Sequence, residues 1–269
     1  MRSDEHLRPA DSAAPLFSIV TVTYNAGEAL ERTIQSVLEQ GCTATEQGRT
    51  PVGVEHIVVD GASTDIVTRD IIDRYRSRLA IVVSEPDQGL YDAMNKGIRL
   101  ATGRYLCFLN AGDRFHSTDT LRQMADSLPT DGTLPDVLYG DTDIVDAEGR
   151  FLRPRHLSAP KALTWRSFRQ GMLVCHQAFF ARRELAAAEP YDLRYRYSAD
   201  FDWCIRVMKR ASLLHNTHLT LIDYLDGGMT TRHHVASLRE RFRIMARHYG
   251  LSGTIVRHIG FLMRQYKKN

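Results

Sequence analysis

Four apolar runs of strand length, each ending in polar or acidic residues, occupy the first 110 positions of the chain. They are FSIVTVTY (Phe17–Tyr24), VEHIVVD (Val54–Asp60), LAIVVSE (Leu79–Glu85) and RYLCFLN (Arg104–Asn110). The intervals between them are helical in pattern. Leu30, Ile34, Val37 and Leu38 share one face, with Gly41 as a stop; a second helix follows GASTD to about Arg78; a third, LYDAMNKGIRLATG, closes at Gly103. This alternation predicts an α/β fold, a mixed, mainly parallel sheet flanked by helices. Such sheets bind ligands beyond the carboxyl ends of their strands. Those ends carry Thr23-Tyr24-Asn25, Asp60, Glu85-Pro86-Asp87 and Asn110 to Asp113, so three of the four supply a carboxylate.

The second half is more mixed. DVLYGDTDIVDAEGRFLRP reads as a hairpin, CHQAFFAR as a strand and LLHNTHLTLIDYL as strand-rich. ADFDWCIRVMKRA predicts a helix starting at Asp200 or just after it, and Leu238, Phe242, Met245 and Tyr249 recur at helical spacing near the end. No internal repeat or low-complexity tract interrupts the pattern.

Charge is unevenly placed. Residues 232–269 hold seven Arg and two Lys against Glu240 alone, a net of +8, which leaves −5 on the remainder of a chain whose total is +3. A mildly acidic body with basic C-terminal helices predicts contact with an anionic surface. Nucleic acid is not the expected partner, because no recognition motif accompanies the arginines. The opening MRSDEHLRPADSAAP lacks the apolar core of a signal peptide, and no run approaches the roughly 20 apolar residues that span a bilayer. Cys42, Cys107, Cys175 and Cys204 form neither a CxxC pair nor a disulfide framework; Cys107 and Cys175 read as buried thiols, and a reducing cytoplasm is the expectation.

The segments SIVTVTYNAGEALERTIQSVLEQ, VEHIVVDGASTD, DQGLYDAMNKGIRLATGRYLCFLNAGD and DLRYRYSADFDWCIR occur in this order with natural spacing. Together, over roughly residues 16 to 230, they resemble an inverting family 2 glycosyltransferase of the GT-A fold. The details resemble the bacterial branch that builds exopolysaccharides and glycolipids. The resemblance implies a nucleotide-sugar donor, UDP-linked by family habit, a glycan or lipid-linked acceptor, and Mn2+ or Mg2+ as cofactor. It divides the chain into a leader (1–14), a nucleotide-sugar half (15–115), an acceptor and catalytic-base half (116–230) and a basic helical segment (231–269). The lipid-linked acceptors of this branch favour placing the basic segment at the inner face of the cell membrane; a solvated helical pair packed on the body is the alternative.

The chemistry explains the residue types. A leaving diphosphate needs its charge neutralised, which a hard cation on oxygen ligands provides. The acceptor hydroxyl must lose a proton as it attacks, which a placed carboxylate provides. By resemblance Asp113 is the metal ligand, with Asn110 offering an amide oxygen or a ribose contact; a loop carboxylate capping its own turn is the plain alternative. The usual preceding acid is replaced by Gly112. Asp60 and Asp87 are implied in nucleoside contact, with Thr23, Tyr24 and Asn25 lining the base pocket and Lys96 reaching a phosphate. Gly61 stands where many relatives carry a second acid. Asp200 is implied as the general base, with Asp202 capping the helix or binding acceptor. His176 and Gln177 are placed near the acceptor cleft, and Arg232, His233 and His234 in a closing segment. A non-catalytic nucleotide-sugar-binding protein is the rival reading.

Overall fold

The computed structural model describes residues 14–40, 52–227 and 234–266. The leader up to residue 13, Gly41, Cys42 and the Arg232–His233 pair lie outside the described residues. The first half is the predicted alternation: β1 (Phe17–Thr23), α1 (Glu28–Leu38), β2 (Val54–Asp60), α2 (Ile66–Tyr75), β3 (Ile81–Ser84), α3 (Leu90–Leu100) and β4 (Tyr105–Phe108). A 3-10 turn, Arg76–Arg78, prolongs α2 to the expected limit. Next come β5 (Arg114–Phe115), α4 (Thr120–Asp126), β6 (Val137–Val145), β7 (Phe151–Pro154), β8 (Phe179–Arg182), α5 (Arg183–Ala188), α6 (Ala199–Arg210) and β9 (Leu214–Leu225). Two helices, α7 (His234–Tyr249) and α8 (Leu251–Tyr266), close the described chain.

The strands form one nine-stranded sheet in the order β3-β2-β1-β4-β8-β6-β9-β5, with β7 on β6. The longer ladders, β1 with β2, β1 with β4, β2 with β3 and β6 with β9, are parallel. Pairs β4–β8, β6–β8, β6–β7 and β5–β9 are antiparallel, and β6–β7 is the predicted hairpin.

Alternation along β2 builds the two layers. Ile57 and Val59 enter the larger core, while Val58 faces a smaller one with Leu30, Ile34, Ile71, Ile72 and Tyr75 of α1 and α2. Helix α1 also buries Thr33 and Ser36, which no apolar pattern predicts. Thr33 Oγ1 donates to the Asp113 carbonyl at 2.7 Å and accepts from Gly112 N at 2.9 Å; Ser36 Oγ accepts from Phe115 N at 2.8 Å. These polar side chains pin the turn after β4 against α1. Cys107 and Cys175 are buried free thiols, as expected, and so is Cys204.

Two local expectations are corrected. Helix α6 starts at Ala199, one residue early, with Ser198 at its cap position, so neither Asp200 nor Asp202 caps it. Helix α7 buries Ser237, Ile244 and Met245, while Leu238 of the expected stripe stays 45% exposed. The helix is rolled because its inward face is set by polar contacts, Ser237 Oγ with Ser198 Oγ at 2.9 Å and His248 Nε2 with Asp202 Oδ1 at 2.7 Å.

Helix α3 lies so close to β1 that a β-carbon at Gly97 would strike the Val20 side chain. Gly97→Val should therefore destabilise the protein by about 1–3 kcal/mol through overpacking. Urea unfolding at fixed pH measures this, and an unchanged midpoint would refute the close-packing argument.

Candidate active site

The ends of β1, β2 and β3 are laced together by short polar contacts. Gly61 N donates to the Thr23 carbonyl at 2.9 Å, and Glu85 N to the Asp60 carbonyl at 3.0 Å. Asp60 is buried, and its carboxylate accepts from Ser63 Oγ at 2.5 Å and Ser84 Oγ at 2.6 Å. Asn25, at φ 49°, accepts on Oδ1 from Thr64 N (2.8 Å) and Asp65 N (2.9 Å), which fixes the β1 turn against the β2 turn. Thr23 is buried, whereas Tyr24 is 64% exposed at the rim. A β-carbon at Gly61 would lie 2.5 Å from Asp87 Oδ2 and 3.4 Å from the Tyr24 ring. The carboxylate of Asp87 thus stands beside the position where the second acid is missing. Its other oxygen accepts from Gly89 N at 2.8 Å, which fixes the loop into α3.

Asp113 follows the turn closed by its own N–H on the Asn110 carbonyl at 3.0 Å. It is 3% exposed; Oδ1 accepts from Leu225 N at 3.0 Å and Oδ2 from Gln177 Nε2 at 2.8 Å. Burial pushes its carboxyl up to about 7 against the opposing pull of these two hydrogen bonds. Gly112 has φ 103°, and a β-carbon there would sit 2.6 Å from Leu225 Cδ2, so β9 occupies the space of a side chain at this position.

One cavity of about 230 Å3 opens at this end of the sheet. It brings together Asn110, His176, Gln177 and Asp200 with Tyr91, Arg155, Tyr197, Tyr224 and Arg241. Asp200 Oδ1 accepts from Tyr91 Oη at 3.1 Å and Phe201 N at 2.9 Å, leaving Oδ2 with His176 Nδ1 at 3.4 Å. Burial lowers the His176 pKa, with Asp200 opposing and Arg155 adding to the effect. Three atoms of the lining residues, Asn110 Oδ1, His176 Nε2 and Arg241 Nε, are buried without a hydrogen-bond partner. Unsatisfied polar atoms at the wall of a cavity mark a place for a polar ligand.

Two expected site residues are engaged elsewhere. Lys96 pairs with Glu85 at 2.9 Å and donates to the Pro86 carbonyl at 2.8 Å, holding the β3–α3 loop rather than reaching toward a phosphate. Asp202 is wholly buried between Arg206 Nε (2.6 Å) and His248 Nε2 (2.7 Å), which places it in the α6–α7 contact and not in the cavity lining. His234 begins α7, one residue past the undescribed segment. The cavity residues Tyr91, Arg155, Tyr197, Tyr224 and Arg241 were not anticipated. Tyr91 lies within the helical pattern of LYDAMNKGIRLATG; the others come from loops and from elements whose facing depends on tertiary packing.

Asp113 itself does not line the cavity, but it and Asn110 carry the oxygen donors a hard divalent cation takes. A carboxylate has about four acceptor sites and Asp113 uses two; Asn110 adds a buried amide oxygen, and such ions take one or two carboxylates and complete their shell on phosphates. Another group, His116, Asp143 and Asp223, has its ligand atoms within 4.8 Å of one another. Ile144 and Tyr224, the next residues on β6 and β9, line the cavity, so alternation turns Asp143 and Asp223 to the opposite face of the sheet. Asp223 is already neutralised there by Arg114 at 2.8 Å, with His116 at 2.7 Å.

Comparison with known proteins agrees with this geometry. Residues 18–188 match Glycosyl transferase family 2, and the chain belongs to that family and is a glycosyltransferase. It is 34% identical over 221 residues to a "PGL/p-HBAD biosynthesis glycosyltransferase" of Mycobacterium bovis, covering 80% of this chain and 79% of that protein. It is 30% identical over 205 residues to the "Amylovoran biosynthesis glycosyltransferase AmsB" of Erwinia amylovora, covering 72% and 64%. Among solved structures it resembles S. aureus TarS in complex with UDP, with a TM-score of 0.63 and 20% identity over 86% of this chain and 64% of that one. It also resembles the mannosyltransferase PcManGT of Pyrobaculum calidifontis in complex with GDP-Man and Mn2+, with a TM-score of 0.59 and 17% identity over 90% and 67%. The fold is that of the GT-A glycosyltransferases.

The raised pKa of Asp113 has a consequence for stability. The folded group holds its proton up to about pH 7 while the unfolded one loses it near 3.8, so this residue's contribution is present at low pH and is lost as pH rises to about 7. In metal-free buffer, the melting temperature of Asp113→Asn relative to the parent should rise between pH 4.5 and pH 8. A difference independent of pH would contradict the burial argument.

Proposed function

We propose that the enzyme transfers one sugar, with inversion, from a nucleotide-diphosphate sugar to a hydroxyl of a glycan or lipid-linked acceptor. Asp200 in the cavity is the observation that carries this reading: Tyr91 and the Phe201 amide hold one carboxylate oxygen, and the other faces His176. In the reaction Asp200 Oδ2 takes the acceptor proton as the hydroxyl oxygen bonds to the anomeric carbon. The bond from that carbon to the diphosphate breaks on the opposite face, and the nucleoside diphosphate leaves with its electron pair. His176, kept neutral by burial, steadies Oδ2 through Nδ1 and offers Nε2 to a substrate hydroxyl.

The nucleoside is assigned to the rim formed by Thr23, Tyr24, Asn25, Asp60 and Asp87. Tyr24 presents a ring for stacking, and Asp87 supplies the acid that Gly61 cannot. A uracil base is preferred, consistent with the UDP of the TarS complex, although the archaeal neighbour binds a guanine nucleotide. Asp113 and Asn110 would hold Mn2+ or Mg2+, which would supply charge neutralisation for the leaving diphosphate. The names of the mycobacterial and Erwinia relatives support a role in polysaccharide or glycolipid synthesis.

Thermal-shift titration of UDP and GDP, each with and without Mn2+, tests the donor assignment. UDP should stabilise the protein more than GDP and in a metal-dependent way, and Asp113→Asn should lose the metal dependence. Asp87→Ala should weaken UDP about tenfold; unchanged affinity would remove Asp87 from the base site. Asp200→Asn should retain UDP binding while turnover falls by about 100-fold or more. Near-normal turnover in that variant would refute Asp200 as base.

A further inference from the structure

The C-terminal helix pair exposes aliphatic side chains that the rest of the molecule does not cover. Val235 and Leu238 of α7 and Leu251, Ile255 and Val256 of α8 are each between 43% and 70% exposed. At about 100° per residue, Leu251, Ile255 and Val256 fall within an arc of about 140° on α8. Arg257 lies outside that arc, and Arg239 and Arg243 are exposed on α7. No helix of the described residues is long and apolar enough to cross a membrane. An apolar helical face flanked by arginines, in a segment of net +8, has the chemistry of an interfacial helix.

From this we infer that the α7–α8 pair is a membrane-docking surface that lies on an anionic lipid bilayer, with the aliphatic face of α8 in the headgroup–acyl boundary. Charge selects this occupant over a second copy of the chain. A two-fold contact through these helices would bring two segments of +8 together, whereas an anionic leaflet attracts each arginine. The inference deepens the lipid-linked acceptor reading above by naming the surface from which such an acceptor arrives. Helix α7 joins that surface to the cleft: Glu240 accepts from Arg196 N and Tyr197 N, both at 2.8 Å, and Tyr197 and Arg241 line the cavity beside Asp200. A bilayer under α7 and α8 therefore sits next to the place where an acceptor hydroxyl must enter.

Sedimentation of the full chain with vesicles tests this without donor or acceptor. Vesicles of 30% phosphatidylglycerol in phosphatidylcholine should bind at least tenfold more protein than pure phosphatidylcholine, and binding should fall as salt rises. Arg239→Glu/Arg243→Glu should lower it by roughly fivefold or more per site. Leu251→Ser/Ile255→Ser/Val256→Ser should also lower it, while circular dichroism melting confirms that both variants fold. Equal binding to the two vesicle types, or binding unaffected by both variants, would overturn the proposal. So would a concentration-dependent dimer, abolished by the triple substitution, with no vesicle binding. UDP thermal shifts on the same proteins report the nucleotide site separately, so failure of one reading is distinguishable from failure of the other.

Discussion

One buried carboxylate joins the segments that surround the cavity. Asp113 ties the turn after β4 to the end of β9 through Leu225 N and to the segment before β8 through Gln177, while its carbonyl is held by Thr33 of α1. Four parts of the chain, distant in sequence, meet on this residue. A carboxylate so deeply desolvated is costly to ionise, which is why its pKa rises to about 7 despite two hydrogen-bond donors. A positive charge placed beside it would reverse that cost and favour the ionised carboxylate.

The two departures from the family pattern, Gly61 and Gly112, have a common physical origin in close approach. At Gly61 the space of a side chain is taken by Asp87 Oδ2, so an acid from the next strand end occupies the neighbourhood of the missing one. At Gly112 the space is taken by the Leu225 side chain, an apolar group, and no replacement carboxylate arrives. The first keeps a carboxylate at the ends of β2 and β3. The second leaves Asp113 as the lone acid of its turn.

The parallel half was legible because each of its elements carries its own pattern. β2 runs from Val54 to Asp60 as its apolar run indicates, and the strand ends carry the polar residues that gather at one edge of the sheet. What was not legible depends on contacts between distant segments. Thr33 and Ser36 look like polar surface on α1 yet are buried, because the 110–115 turn supplies their partners. Tyr91 belongs to a helical pattern, and only the fold brings its hydroxyl to Asp200, 109 residues away. Lys96 resembles a phosphate ligand in sequence, and only the fold shows its ammonium paired with Glu85.

The neighbouring acids of α6 show how helix geometry decides between roles. Residues two apart on a helix point about 200° from each other, so Asp200 and Asp202 cannot both face the cleft once the helix begins at Ala199. Asp202 points the other way, into α7. The Lys209 ammonium lies 2.9 Å from His248 Nδ1 and can only donate, so His248 Nδ1 accepts and its Nε2–H donates to Asp202. Arg206 binds the second oxygen of Asp202 and reaches Glu189 at 2.5 Å, carrying the network to the end of α5. Buried ion pairs add little net stability but fix geometry, because an unpaired charge left in the interior is costly. Here the network sets the rotation of α6 about its axis, and that rotation is what turns Asp200 toward His176 and the cavity.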